Sequence, residues 1–299
     1  MVMDSIKSAI REIGRQRPLI TMNLDVLDVT DVSFGFRRLT LHGHEIDEYS
    51  DPRAADAFKV MIPPLDALDR RSHAPVRDAQ GLPTWPGQQD PLLRALTVRS
   101  LDRARRLMTV DVSSHSDGLL NLWLSALSPG DTVSISGMRA EWYLPAEIEQ
   151  LVLIADDAGA PALASIIEAL PTETASTHTH IIAPESTRDY LGAAGTEGSN
   201  SAVTFVPSLT DLKAEGIVGN GARSQVWIAA ETSTVRTLRS VAKYDWNVNT
   251  QDLLARAYWH RGLSGTDVDA RDLERYRKAL DEGADMHSPQ LAEDISLND

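Results

Sequence analysis

Two adjacent aspartates, Asp156 and Asp157, follow the continuous apolar run 151–155 and precede an amphipathic pattern. A buried strand that turns directly into a helix is a common place for an α/β protein to hold a nucleotide. This turn has one glycine, Gly159, instead of a glycine-rich phosphate-binding fingerprint. A carboxylate also disfavours a phosphate placed directly over it. The two acids therefore predict either contacts to ribose hydroxyls or a cap on the helix N-terminus, and capping is the expected role of Asp157.

The composition limits what the chain can bind. Its 299 residues are enough for two domains of ordinary size. Lys and Arg number 29 against 43 Asp and Glu, for a net charge of −14. That balance repels phosphate backbones and anionic lipid, so we expect neither a nucleic-acid nor a membrane partner. The chain has no cysteine, which excludes disulfides, zinc–thiolate sites and cysteine-bound iron–sulfur clusters.

Histidine spacing gives no metal site. His42 and His44 are two residues apart on a predicted strand, as are His178 and His180. Two imidazoles without a nearby third ligand rarely hold a metal, so none is predicted. The first 20 residues mix charges into a helical pattern and lack the apolar core of a signal peptide. We therefore expect a cytoplasmic protein, and we expect it to be a monomer.

The hydrophobic pattern changes along the chain and predicts two kinds of domain. Short alternating stretches with frequent turn residues indicate a small antiparallel β-barrel. In that region "DVSFGFRRLTLHG" is interpreted as one half-buried strand with a bulge. Later, apolar runs alternate with helical stretches, which is typical of a parallel sheet with crossover helices. The predicted order is a helical tail (1–17), a β-barrel (18–143), a linker (144–150), an α/β domain (151–262), and one C-terminal helix with an acidic tail (263–299).

Several short phrases in this order resemble the siderophore-interacting proteins, which are ferric-siderophore reductases of the ferredoxin-reductase superfamily. The phrases are "FKVMIP", "RALTVR", "HSDGLLNLW", "SPGDTVSISGMR", "DDAGAPALASIIEALP", "VWIAAETSTVRTLR" and "AYWHRG". The resemblance implies FAD in the β-barrel, NADPH or NADH on the α/β domain, and a ferric siderophore as electron acceptor. One-electron reduction would release the iron, because hard oxygen chelators hold Fe(II) more weakly than Fe(III).

The resemblance also assigns the flavin site. Arg94 matches the arginine that pairs with the pyrophosphate, and Thr97 matches the residue that offers a hydroxyl or N–H to the flavin. Leu96 stands where the family has an aromatic ring, a loss worth on the order of 1 kcal/mol of stacking. The flavin-binding residues implied are Arg94, Leu96, Thr97, Val98, His115, Gly118, Leu119, Leu120 and Asn121.

For the nicotinamide nucleotide, the resemblance implies four residues: Asp156, Asp157, Gly159 and Glu231. Trp259 is a further predicted cofactor-binding residue, and walling the substrate pocket or packing against the C-terminal strand are its alternative roles. Glu231 corresponds to a residue at the nicotinamide and flavin edge, so Thr97 and Glu231 are the predicted catalytic pair. Ala230 stands in place of a family glycine, and we expect its methyl group to crowd that edge.

The substrate site needs a local group of cations, because many ferric siderophores are anions and the chain is acidic. Lys59 and Arg139 match basic family positions, and Arg256 and Arg261 are candidates for a third cation. Two alternatives to a reductase remain open. One is a siderophore carrier in which Leu96, Leu119, Leu120 and Trp123 close a lapsed flavin cleft. The other is a flavoprotein that receives its electrons from ferredoxin.

Overall fold

The computed structural model describes residues 5–18, 20–63, 76–77, 83–85, 91–114, 118–170, 177–192, 201–212, 217–218, 221–263, 265–285 and 288–297. The chain divides into two compact units. Pro18–Arg139 forms one, which we call the antiparallel unit. Met1–Arg17 and Ala140–Asp299 together form the other, which we call the parallel unit. None of the described helices is long and apolar enough to cross a membrane.

The described residues of the antiparallel unit form nine strands and one α-helix. They are β1 (Ile20–Ser33), β2 (Phe36–His42), β3 (Ala57–Ile62), β4 (Val76–Arg77), β5 (Pro83–Thr84), β6 (Leu92–Thr97), β7 (Ser100–Asp102), β8 (Leu107–Ser113), β9 (Thr132–Arg139) and α2 (Leu119–Ala126), the helix preceding β9 in the chain. Strands β4 and β5 pair with each other, and the other seven form one sheet in the order β6-β3-β9-β1-β2-β8-β7. Alternation explains the strands: on β1, Met22, Leu24 and Val26 are buried and the residues between them are exposed.

The edges of this sheet are close in the chain. β6 and β7 lie at opposite edges, yet only Val98 and Arg99 separate them. Two residues span only about 10 Å, so the sheet must curl until its edges approach each other. The predicted single strand "DVSFGFRRLTLHG" is wrong in detail. It is a hairpin in which Phe34 and Gly35 form the turn between β1 and β2, and Phe34 is 91% exposed.

The parallel unit is built on a five-stranded parallel sheet. Its strands are β10 (Gln150–Ala155), β11 (His178–Pro184), β12 (Ser201–Val206), β13 (Ser224–Glu231) and β14 (Leu253–Trp259), in the order β12-β11-β10-β13-β14. Helices α3 (Ala160–Ala169), α4 (Arg188–Gly192) and α5 (Thr232–Tyr244) alternate with them. Every residue of β13 is buried, as expected for a strand covered on both faces. The predicted combination of an antiparallel and a parallel sheet is confirmed.

The first and last described helices contact each other within the parallel unit. The N-terminal helix α1 (Ile6–Gln16) buries Ile6, Ile10 and Ile13. The predicted single C-terminal helix is in fact two, α6 (Gly265–Asp281) and α7 (Pro289–Leu297), because the chain turns at Gly283, where φ is +88°. Lys7 on α1 lies 2.9 Å from the fully buried Glu293 on α7. These terminal segments are therefore part of the parallel unit's core.

Candidate functional site

The carboxyl ends of β10 and β13 mark the candidate nucleotide site. From β10 the chain moves through β11 to β12, and then returns to the other side of β10 to form β13 and β14. The strand order therefore reverses between β10 and β13, and α/β sheets bind ligands at such a point. Asp156 directly follows β10, and Glu231 is the last residue of β13. The topology thus brings together two predicted residues that are 75 positions apart.

The Asp156 carboxylate ties three strand ends together. It accepts hydrogen bonds from the backbone N–H of Ala158 at 3.0 Å and of Gly159 at 3.3 Å, both in its own turn. It also accepts from the backbone N–H of Glu231 at 2.8 Å and from the indole N–H of Trp259 at 2.8 Å. Burial raises the pKa of Asp156, and these hydrogen bonds oppose the rise. Asp156 acts first as a structural support of the site.

Glu231 caps helix α5. Its carboxylate accepts from the backbone N–H groups of Ser233 (2.8 Å) and Thr234 (3.2 Å) and from the Ser233 hydroxyl, while its other oxygen accepts from the Arg261 N–H at 3.4 Å. Burial acts to raise the pKa of Glu231, but these hydrogen bonds outweigh it and hold the pKa below its usual range. The sequence analysis missed Ser233 as a partner, although an acid followed by "TST" is a recognisable capping signal.

Asp157 does not cap α3, contrary to the favoured sequence interpretation. Its carboxylate accepts from the Ser186 hydroxyl at 2.9 Å, beyond the end of β11. The N-cap position of α3 is Gly159, and no side chain caps that helix. Pro161 in the first turn of α3 has no N–H, so the amides left without a side-chain acceptor among the described residues are those of Ala160 and Ala162. The positive end of the helix dipole at this position suits an anionic nucleotide group. The residues present fit a dinucleotide.

Gly159 is required by close packing. A Cβ atom at this position would lie 2.3 Å from the Ala229 carbonyl oxygen and 2.9 Å from the Ala229 Cβ. Glycine thus lets the start of α3 approach β13 directly. Ala230, which we expected to crowd the nicotinamide edge, is fully buried in an apolar cluster with Val226 and Ile228. Its methyl group belongs to the core.

The end of β14 adds aromatic and cationic groups to the same edge. Trp259 is 41% exposed, and the Arg261 guanidinium lies 5.8 Å from the centre of its ring. His260 lies 3.4 Å from Arg271 of α6. Burial, together with the Arg271 charge, lowers the pKa of His260. Arg261 is exposed and therefore available to an anion. Among the described residues, no group of three acids or histidines could hold a metal ion.

In the antiparallel unit, the register of β6 directs the Thr97 backbone. Thr97 pairs with Ala57 of β3, and the Val98 N–H donates to the Asp56 carbonyl oxygen at 2.9 Å. Hydrogen-bonded and non-hydrogen-bonded pairs alternate in an antiparallel ladder, so Thr97 and Ala57 form a non-hydrogen-bonded pair. The Thr97 N–H and C=O therefore point away from β3, to the outer side of an edge strand. This geometry fits the hydrogen-bonding role predicted for Thr97.

The other predicted flavin residues lie around the same strand and α2. Arg94 is half-buried, and its guanidinium donates to the Leu93 carbonyl oxygen at 2.8 Å. Gly118 is the N-cap of α2, and among the described residues no side chain caps this helix, so the Leu119 and Leu120 amides suit an anionic group. A cation and an uncapped helix start fit a pyrophosphate. The remaining predicted flavin residues are the half-buried Leu96 and Asn121 and the buried Val98; His115 lies outside the described residues.

The predicted substrate cations have different surroundings in the structure. Lys59 pairs with Ser136, and Ala57, two residues earlier, pairs with Arg139 beyond a bulge at 137–138. Lys59 and Arg139 therefore share one face of the sheet. Arg256 is different, because its guanidinium is buried and lies 2.7 Å from the buried Glu141 carboxylate. Arg256 forms an internal ion pair instead of a substrate contact, and no local sequence signal identified Glu141 as its partner.

Comparison with known proteins extends over both units. The model of the siderophore-interacting FAD-binding domain matches residues 25–142, and that of the siderophore-interacting protein matches residues 148–262. The NADPH-dependent ferric-chelate reductase of Escherichia coli K12 is 25% identical over 244 residues, which are 79% of this chain and 92% of that protein. The ferric acinetobactin reductase of Acinetobacter baumannii is 24% identical over 218 residues, covering 68% of this chain and 72% of the relative.

A solved structure with a similar fold also comes from a siderophore-related protein. The siderophore utilization protein from T. fusca superimposes with a TM-score of 0.65 at 25% identity, covering 83% of this chain and 95% of that one. The matched family regions lie on both the sheet that carries Thr97 and the sheet that carries Asp156 and Glu231. The chain belongs to the siderophore-interacting protein family, as its sequence motifs predict.

Proposed function

We propose that this protein is a ferric-siderophore reductase that takes electrons from NADPH or NADH, uses FAD as its cofactor, and releases Fe(II). The observation that carries the proposal is the match of successive parts of the chain to an FAD-binding domain and to a siderophore-interacting protein. The E. coli and A. baumannii relatives are named as ferric reductases. We assign the flavin to the 18–143 domain and the nicotinamide nucleotide to the 151–262 domain.

Each group of residues has a distinct task in this proposal. FAD, when bound, would accept one hydride, which carries two electrons, and could pass those electrons on singly. Arg94 and the first amides of α2 bind its pyrophosphate, and the outward N–H of Thr97 donates to the flavin ring. Asp156 holds the ends of β10, β13 and β14 together, and Glu231 fixes the start of α5. The first turn of α3 then binds the anionic part of the nicotinamide nucleotide.

The proposed substrate cations are Lys59 and Arg139 on the antiparallel unit and Arg261 on the parallel unit. The role of each is to attract an anionic ferric siderophore. Arg256 supports the fold through Glu141 instead of contacting the substrate. We further propose that the protein works as a cytoplasmic monomer. Ferredoxin, as an alternative electron donor, is distinguished from NADPH by the experiment below.

A second candidate is a siderophore carrier without flavin chemistry. It is favoured by one observation: Leu96 and Leu120 pack against the apolar core cluster that contains Trp123. In a carrier, these side chains would fill the space that a flavin ring occupies in a reductase. The two candidates differ in a property visible on purification, because only the reductase binds FAD.

The first prediction tests flavin binding through Arg94. Purified protein should be yellow, and heating should release FAD. Arg94→Ala removes a charge-assisted hydrogen bond worth about 1.5–3 kcal/mol, so the FAD dissociation constant should rise roughly 10- to 100-fold. Arg105→Ala, which removes an exposed arginine of the β7–β8 turn, is the control and should bind FAD normally. Colourless protein that does not bind added FAD would contradict the reductase and leave the siderophore carrier as the remaining candidate.

The electron donor is tested with the FAD-loaded protein under anaerobic conditions. We expect NADPH or NADH to bleach the flavin. Bleaching by reduced ferredoxin alone would identify ferredoxin as the donor instead.

The second prediction concerns the substrate. Lys59→Ala should weaken binding of an anionic tricatecholate ferric siderophore roughly tenfold, because one attractive charge is lost. FAD content should not change, since Lys59 and the Arg94 side chain lie on opposite faces of the sheet. A neutral trihydroxamate complex is the control ligand and should bind both proteins alike. Equal affinity of the variant and the parent protein for the anionic complex would remove Lys59 from the substrate site.

A further inference from the structure

The direction of the Thr97 amide depends on a buried pair outside the predicted site. The ladder bond that sets the end of β6 runs from the Val98 N–H to the Asp56 carbonyl oxygen. Thr97 is the last residue of the β6 ladder, and this bond is the one that holds the chain to β3 beyond it. If the bond opened, the end of β6 would fray and the Thr97 N–H would be held less firmly in its direction. The position of Asp56 therefore contributes to the position of Thr97.

Asp56 is itself held by Tyr49. The Asp56 side chain is fully buried, and its carboxylate accepts hydrogen bonds from the Tyr49 hydroxyl and from the Arg53 backbone N–H at 2.9 Å. Tyr49 is only 2% exposed. The residue before Asp56, Ala55, is fully buried with φ at +57°, a conformation that a non-glycine residue keeps only when its surroundings enforce it. The Tyr49 hydroxyl supplies part of that enforcement.

The start of β3, next to Asp56, also pairs with a strand that carries a proposed substrate cation. Ala57, adjacent to Asp56, lies between Thr97 on β6 and Arg139 on β9 in one row across the sheet. A shift of Asp56 would therefore move the proposed flavin contact and one proposed substrate contact together.

We propose that Tyr49 and Asp56 are positioning residues, which fix the Thr97 amide for the flavin through the Asp56–Val98 backbone bond. This inference rests on the proposed function, since it assumes that Thr97 faces FAD. Tyr49 and Asp56 would support the reaction indirectly, since neither is a predicted flavin-binding or catalytic residue. Removing the Tyr49 hydroxyl should loosen the end of β6 without removing any group that binds FAD.

The test compares Tyr49→Phe with Ser134→Ala in the full-length, FAD-loaded protein. Each variant loses one buried hydroxyl of the antiparallel unit, and that of Ser134 donates to Asn23 at 2.7 Å. In Tyr49→Phe, we expect exchange of the Val98 amide hydrogen to become roughly tenfold faster. We also expect a shift of the flavin visible spectrum and about tenfold slower bleaching by NADPH. Ser134→Ala should change none of the three.

Asp56→Asn is the second variant and decides the question if Tyr49→Phe does not fold. It should show the same faster Val98 exchange and the same spectral shift. Parental exchange and an unshifted spectrum in these variants would overturn the positioning role while leaving the reductase proposal intact. Failure of the parent protein to bind FAD would instead contradict the proposed function, so the two failures are distinguishable.

Discussion

Replacing Glu293 with alanine is expected to destabilise the parallel unit by about 3–5 kcal/mol, which is the typical cost of breaking a buried ion pair. The Glu293 carboxylate is fully buried and lies 2.9 Å from Lys7 Nζ and 2.7 Å from Arg239 Nε. Arg239 is partly exposed and can turn toward water, but Lys7 is buried and, among the described residues, would keep only the Gln290 amide oxygen as a partner. Denaturant unfolding, with hydrogen exchange of α1 and α7 peptides, measures the loss.

The pH dependence of the stability lost in Glu293→Ala tests whether the unpaired Lys7 causes that loss. Burial lowers the pKa of Lys7 below the ordinary 10.5, and the Glu293 charge opposes that shift. Between its folded and unfolded pKa values, a lysine of this kind binds fewer protons in the folded state, so stability rises with pH. Without Glu293, the pKa of Lys7 in the folded protein falls further, because the charge that raised it is lost. The pH range over which stability rises then becomes wider. The deficit of Glu293→Ala should therefore shrink as the pH is raised from about 7 toward 10.

Asp285→Ala is the matched control for Glu293→Ala. Asp285 also joins α1 to the C-terminal segment, through Arg11 at 3.6 Å and Arg15 at 2.7 Å, but these groups are partly exposed. Its removal should cost about 0.5 kcal/mol or less. If Glu293→Ala cost no more than Asp285→Ala at neutral pH, the buried pair would not be what holds the chain ends in place.

The periodicity of the sequence was sufficient to predict the two sheets. Apolar runs such as 151–155 and 226–230 are buried on both faces, and only a covered parallel sheet accommodates them in quick succession with helices. Local turns were harder to predict. The hairpin at Phe34 and Gly35 was missed because apolar residues continue through it, and Phe34 is exposed although aromatic. Hydrophobicity alone does not distinguish a strand from a turn at such a position.

The candidate site could be predicted where it depends on strand ends, and could not where it depends on long-range pairing. Asp156 and Glu231 each follow an apolar run, so their convergence at one edge was foreseeable. Arg256 looked equally suitable as a substrate cation, but Glu141 neutralises it from 115 residues away. Nothing in the local pattern distinguishes a buried arginine with a distant partner from an exposed one.

The placement of the terminal segments also depends on long-range pairing that the local sequence does not reveal. Residues 1–17 and 263–299 lie outside the matched family regions, and their polar composition suggested a tail at each end. In the structure, α1 and α7 join through Lys7 and Glu293 and belong to the parallel unit. A charged residue on an amphipathic helix is ordinarily solvated, so its burial follows only from a partner on another helix.

Substituting Gly159 with alanine should disrupt the nicotinamide site while leaving flavin binding intact. The new Cβ would lie 2.3 Å from the Ala229 carbonyl oxygen, a backbone atom that cannot turn aside. The start of α3 must therefore move away from β13, and the Ala158 and Gly159 N–H groups bound to Asp156 would move with it. We expect a destabilisation of about 1–3 kcal/mol. We also expect kcat/KM for NADPH to fall roughly tenfold or more, because a small displacement of a positioning element is costly.

Gly192→Ala is the control for this backbone argument. Gly192 ends α4 in the same unit, and a Cβ there would meet no atom of the described residues within 4 Å. Alanine at that position should be neutral or slightly stabilising, by up to about 1 kcal/mol, since it restricts the unfolded chain. Both variants should retain FAD, because neither glycine lies in the antiparallel unit. Parental stability and NADPH kinetics in Gly159→Ala would mean that α3 does not need its close approach to β13, and that the nucleotide is bound elsewhere than at the ends of β10 and β13.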